Sequence, residues 1–218
     1  MDPRRLFTAA DLDAIRAATA AVERRTPGEV VAVIVGRCDG YEEASWKAAA
    51  LLAGVAALAA GAAHALGGYW GGGSLGWISL PALAGVAAGW LLARRWSALR
   101  RLLIDDETLA QRVGRRAEAA FLEEGVYATR DRTGVLLLLA LFERRAVVLP
   151  DRGIAQRVDP AEWRRIADAL AEGARQGRHA TALVEAISAC GQLLEAGGME
   201  RRADDRDELA DEPRLCDE

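Results

Sequence analysis

The sequence predicts an α/β domain, a small sheet flanked by helices, interrupted by a hairpin of two transmembrane helices. Three observations predict it. Two uncharged runs of about 19 residues, Ala48 to Leu66 and Leu75 to Ala93, follow one another closely. Runs rich in β-branched residues or leucine at Glu29–Val35 and Gly134–Phe142 have the length and composition of buried strands. Charged, amphipathic stretches stand before, between and after those runs, as a sheet covered on both faces requires.

The chain is 51% hydrophobic yet 28% charged, and nearly all of the charge lies outside residues 48–93, so two kinds of sequence coexist. The division expected is 1–46, the first part of the domain; 47–96, the hairpin; 97–199, the second part; and 200–218, a tail. With nine acidic residues against four arginines, that tail is expected to be solvated and mobile. A net charge of −4 opposes nucleic-acid binding, which needs a basic surface to displace counterions. Cys38, Cys190 and Cys216 are odd in number, widely spaced and without a CxxC, as expected of reduced thiols in the cytosol. Charges from Asp2 to Arg16 deny the N-terminus the apolar core of a signal peptide.

Each apolar run would rise roughly 28 Å as a helix, close to the ~30 Å hydrocarbon core. The uncharged Gly67–Ser74 segment joins them, with Tyr69, Trp70 and Trp77 suited to a headgroup zone, and Trp90 and Trp96 to the opposite one. Lys47, Arg94, Arg95, Arg100 and Arg101 all flank the outer ends. By the positive-inside rule both termini face the cytoplasm, making this a multi-pass protein of the cell (inner) membrane. Gly85 and Gly89 form a GxxxG, and Ala57 and Gly61 repeat that spacing on the first helix. Small residues let helices approach closely in lipid, so the pair is expected to pack together, with homo-oligomerisation as the alternative. Gly71–Gly76 matches GxGxxG but follows an apolar helix and lacks the later acid, so it is no dinucleotide site.

In the split domain, Leu12, Ile15, Thr19 and Val22 recur at helical spacing behind a capping box of Thr8 and Asp11, and Thr26-Pro27-Gly28 stops that helix. A charged helix is expected from Asp105 to Glu124, with Leu109, Val113, Ala117, Ala120 and Phe121 on one face. After the Gly134–Phe142 strand, Glu143-Arg144-Arg145 turns the chain into a partner strand, Ala146–Leu149. Asp159-Pro160-Ala161-Glu162 is a helix start, with an N-cap acid and proline at the first turn. A last helix carries Leu183, Val184, Ile187, Cys190 and Leu194.

These residues resemble a known family. Thr26-Pro27-Gly28-Glu29-Val30, Thr133-Gly134-Val135-Leu136, Glu143-Arg144, Asp151-Arg152-Gly153-Ile154, Val158-Asp159 and Gly177-Arg178 fall in the order seen in the TPM domain (TPM phosphatase-like). The resemblance covers about 1–46 and 94–196. It is narrower to a bacterial subgroup that inserts a membrane hairpin after the first strand and ends in an acidic Asn-Glu-Leu-Pro segment. Asp207-Glu208-Leu209-Ala210 is an imperfect copy of that segment. The resemblance implies a small sheet flanked by helices, and a phosphatase, a calcium-binding module or an accessory subunit of a membrane transport assembly. Where metal-binding members cluster acids before the turn, this chain has Arg130-Asp131-Arg132, one carboxylate between two guanidinium groups.

Hydrolysis needs a nucleophile or activated water, a base and charge stabilisation. His64 lies in the hairpin and His179 at a helix start, and there is no Cys-x5-Arg or Walker sequence. Glu29, Asp131, Asp151 and Asp159 are the candidate oxygen ligands for Ca2+ or Mg2+. Glu143, Arg144, Arg145 and Arg152 are the candidates for a charged rim that binds a partner or a phosphate. Without a full catalytic set, the expected role is a binding or scaffold module whose partners are the lipid bilayer and other membrane proteins. A metal-dependent phosphomonoester hydrolase is the alternative.

Overall fold

Local chemistry starts the first helix. Asp11 N donates to Thr8 Oγ1 at 3.2 Å and Thr8 N donates to Asp11 Oδ2 at 2.8 Å, the expected capping box. Helix α1 (Ala9–Glu23) follows and buries Ile15, Thr19, Val22 and Glu23. The computed structural model describes residues 2–67, 74–199 and 208–217. Tyr69, Trp70 and most of the Gly-rich connection lie outside the described residues. After α1 come β1 (Glu29–Val35), α2 (Glu42–Gly67), α3 (Ser74–Arg95), α4 (Ser97–Leu102) and α5 (Asp106–Glu123). Then follow β2 (Gly134–Ala140), β3 (Arg145–Pro150), α6 (Arg152–Ala155), α7 (Pro160–Arg175), α8 (His179–Ala196) and β4 (Arg214–Cys216).

The chain forms two compact units. One joins Met1–Asp39 to Leu109–Glu218, and the other is Gly40–Thr108. In the first, the sheet order is β3-β2-β1-β4. β1 runs parallel to β2 and to β4, and β2 is antiparallel to β3. All seven residues of β1 and of β2 are buried, because each face of the sheet is covered. Val30, Ala32, Ile34, Val135, Leu137 and Leu139 face a core completed by Ile15, Leu170, Leu183 and Ile187. The alternate residues, Val31, Val33, Val35, Leu136, Leu138 and Ala140, face Val113, Ala117 and Ala120 of α5. That period-two division explains why the strands read as unbroken apolar runs.

Parallel neighbours require a crossover between them. The second unit is inserted into that crossover, where a long excursion breaks no sheet hydrogen bond and adds only a slowly growing closure entropy.

Within the second unit, α2 and α3 pack antiparallel and are long and apolar enough to span a membrane. A Cβ added at Gly85 would lie 2.6 Å from Leu52 O, and one at Gly89 would run into Ala48 O, so both glycines serve close backbone approach. Gly61 departs from the expected packing: a Cβ added there would meet nothing within 4 Å. The close approaches set Gly85 against Leu52 and Ala53, and Gly89 against Ala48 and Ala49. The unit is also wider than the apolar runs. Polar Glu42–Lys47 already belongs to α2, and Lys47 Nζ donates to Leu103 O at 3.1 Å.

The acidic tail departs from expectation as well. Residues 208–217 do not form a mobile tail: Arg214, Leu215 and Cys216 pair with Val33, Ile34 and Val35. The open edge of β1 supplies main-chain partners that composition does not register.

Candidate functional site

The register gathers several candidates at one end of the sheet. Glu29 pairs with Gly134 and Val135 with Pro150, so the starts of β1 and β2 meet the end of β3. Turns tie this end together. Thr133 Oγ1 donates to Pro27 O at 2.7 Å, Asp151 N donates to Gly134 O at 2.8 Å, and Gly153 N donates to Arg132 O at 3.0 Å. A Cβ at Gly153 would strike Asp131 O, and one at Gly134 would strike Val126 O, so the Thr-Gly and Arg-Gly motifs mark backbone contact. Arg132 holds a left-handed φ of 56°, and its guanidinium lies 5.9 Å from the centre of the Tyr127 ring. A cavity of about 370 Å3 opens here, lined by Pro27, Asp131, Thr133, Gly153, Arg157 and Met199 among others.

The four candidate ligands are put to separate uses. Asp131 is exposed on the cavity wall. Asp151 is buried, its Oδ1 accepts from Arg152 N at 2.7 Å, and its Oδ2 lies 3.8 Å from an Arg132 guanidinium nitrogen. Glu29 is buried, and its two carboxylate oxygens accept from Glu208 N at 3.1 Å and Leu209 N at 3.3 Å. Asp159 caps α7, accepting from Ala161 N at 2.8 Å. Among the described residues, no three His, Cys, Asp or Glu side chains group as a metal ion would need.

The predicted charged rim is divided. Arg145 pairs with Ala140 at one end of the β2–β3 ribbon, whereas Arg152 lies just past Pro150 at the other. Five residues of strand separate these ends, roughly 17 Å at the usual rise. Glu143 is no rim residue: it is fully buried, and its Oε1 accepts from Cys38 N at 2.8 Å. Arg144 is exposed, and its carbonyl accepts from an Arg175 guanidinium nitrogen at 3.2 Å.

Sequence reasoning missed a group at the edge of β1. Glu23, on the last turn of α1, is buried, and its Oε1 accepts from Val30 N at 3.2 Å. Burial first, then the facing Asp211 carboxyl and the charge of Glu29, raise its pKa to about 9. One sign was available: Glu23 follows Val22 on the helix flank that meets the strand. Its partner Asp211 sat in a segment read as tail. Two thiols are also suppressed. Burial pushes Cys190 up to about 12, and burial with the charge of Glu143 raises Cys38.

Residues 100–193 match the model of the TPM domain family. That stretch is similar to the TPM domain. That match takes in α5, the β2–β3 ribbon, α6, α7 and most of α8. Among solved structures, the chain is similar to the BA42 protein of the psychrophilic bacterium Bizionia argentinensis sp. nov., determined by NMR. The TM-score is 0.57 at 19% identity, over 95% of this chain and 94% of that one, a likeness of fold. No curated protein matches this chain by sequence.

Proposed function

We propose that this chain is a TPM domain tethered to the cell (inner) membrane, acting as a non-catalytic binding or scaffold module on the cytoplasmic face. The observation that carries the reading is the outward-facing grease of α2 and α3. Leu58 is 77% exposed and Leu66 89% exposed, with Leu51, Val55, Trp77, Leu80, Leu83 and Leu91 also exposed. A soluble core helix buries such side chains, whereas lipid solvates them. Lys47, Arg94, Arg95, Arg100 and Arg101 flank the hairpin at its outer ends, which supports cytoplasmic termini. The non-catalytic part draws on the fates of Glu29, Asp151 and Asp159, whose carboxylates accept from backbone amides.

A second reading, a Ca2+- or Mg2+-dependent phosphomonoester hydrolase, draws on Asp131 and Arg157 sharing one cavity wall. Incubating the detergent-solubilised protein with a phosphomonoester panel, with and without either ion, separates the two. The module reading expects no metal-dependent turnover. Turnover that disappears in an Asp131→Ala, Asp151→Ala double variant contradicts it. Service as an accessory subunit of a transport assembly, or as a homo-oligomer through the hairpin, predicts co-purified membrane proteins or a higher-order band after cross-linking in membranes.

A further inference from the structure

The binding-module reading leaves open what is bound, and the sheet edge offers an answer that rests on that reading. We propose that the edge of β1 is a binding site for an extended peptide carrying a basic–apolar pair, occupied in cis by residues 208–217 and open to a matching partner segment. β4 pairs with β1 through only three residues, and all three are half-buried. Gly36 N donates to Cys216 O at 2.8 Å beyond them. The seat has both elements of strand-addition recognition, main-chain bonding and side-chain sockets.

Glu29 takes the main-chain role. Its buried carboxylate accepts from two consecutive tail amides, Glu208 N and Leu209 N, which reads backbone and not side chain. The sockets are specific. Arg214 Nε donates to Glu124 Oε2 at 2.8 Å, each side chain about three-quarters buried. Glu208 Oε2 accepts from Arg130 N at 2.8 Å. Leu215 packs on one apolar core, and Leu209 and Cys216 on the other.

The resident segment fits this seat imperfectly. It sets Asp211 in a side-chain hydrogen bond with buried Glu23, with Glu29 adding a third carboxyl, so this contact lasts only while one of the carboxyls keeps its proton. An occupant with a neutral side chain at that point would keep every other contact without the conflict. Local disagreement of this kind marks an interaction held below its optimum.

The test uses the full chain in detergent and a fluorescent peptide of residues 208–217, alongside the same peptide with Asp211→Asn. Arg214→Glu in the chain removes the cis ion pair while leaving Glu124 for the incoming peptide. Expected is binding about tenfold tighter to that variant than to the unaltered chain, the ratio of a pair worth ~1.4 kcal/mol. The Asn peptide should bind tighter than the native one, and Glu124→Ala should give no gain. Equal affinity of the unaltered chain and the Arg214→Glu chain overturns the proposal. So does absence of binding to both that variant and a chain ended at Met199, and so does a chain ended at Met199 that cannot fold, since β4 is then a fixed part of the domain. None of these outcomes bears on membrane attachment, and loss of attachment would leave the peptide measurement unchanged.

Discussion

Single side chains in this protein are best understood by what their atoms bond. Glu23 is buried with its pKa raised to about 9 from an ordinary 4.5. A raised carboxyl contributes fully to stability below about pH 4.5, and the contribution drains away as pH rises toward 9, because the unfolded chain ionises first. Gln at this position can still accept from Val30 N and offer an N–H to Asp211. Glu23→Gln is therefore expected to match the unaltered chain near pH 4.5 and to melt several degrees higher by pH 8–9, measured by circular dichroism in detergent. A constant difference across that range would contradict the assignment. Glu143→Ala removes the acceptor of Cys38 N and should cost ~1–3 kcal/mol. Arg152→Ala, at an exposed position, should stay within about 0.5 kcal/mol. Chemical denaturation ranks the two, and equal losses would restore the charged rim. A run such as Glu143-Arg144-Arg145 shows that charges are adjacent in sequence. It does not show that the first of them turns inward, because that depends on an amide more than a hundred residues away.

At the scale of elements, legibility followed periodicity. α1, α5, α7 and the two central strands were evident because caps and apolar spacing are local signals, and Asp159 ahead of Pro160 caps α7 as expected. β4 was not evident. Arg214-Leu215-Cys216 follows a proline in an acidic stretch, and so short an edge strand is defined by the neighbour it pairs with. The hairpin contact was half legible: Gly85 and Gly89 announced close packing, but α2 is rich in alanine and glycine throughout, so spacing alone did not single out Ala48 and Ala53 as the residues they meet. Gly89→Leu should push α3 off α2 at a cost of ~1–3 kcal/mol, the usual range for overpacking. Gly61→Leu, facing open space, should cost far less. Thermal unfolding in micelles compares them, and similar losses at both positions would contradict the observed register.

On the scale of the whole chain, an α/β domain is divided by an apolar pair of helices placed in the crossover between two parallel strands. The sheet closes only when both halves of the domain are present, so, if the hairpin spans a membrane as proposed, its two ends return the chain to one aqueous compartment. This links fold to location: a sheet shared across the insertion requires an even number of crossings. The direct test is a wash of the membranes at alkaline pH followed by ultracentrifugation, with the protein detected in pellet and supernatant. The account predicts that it stays in the pellet until detergent is added. Release into the supernatant as a folded, detergent-free monomer would contradict it.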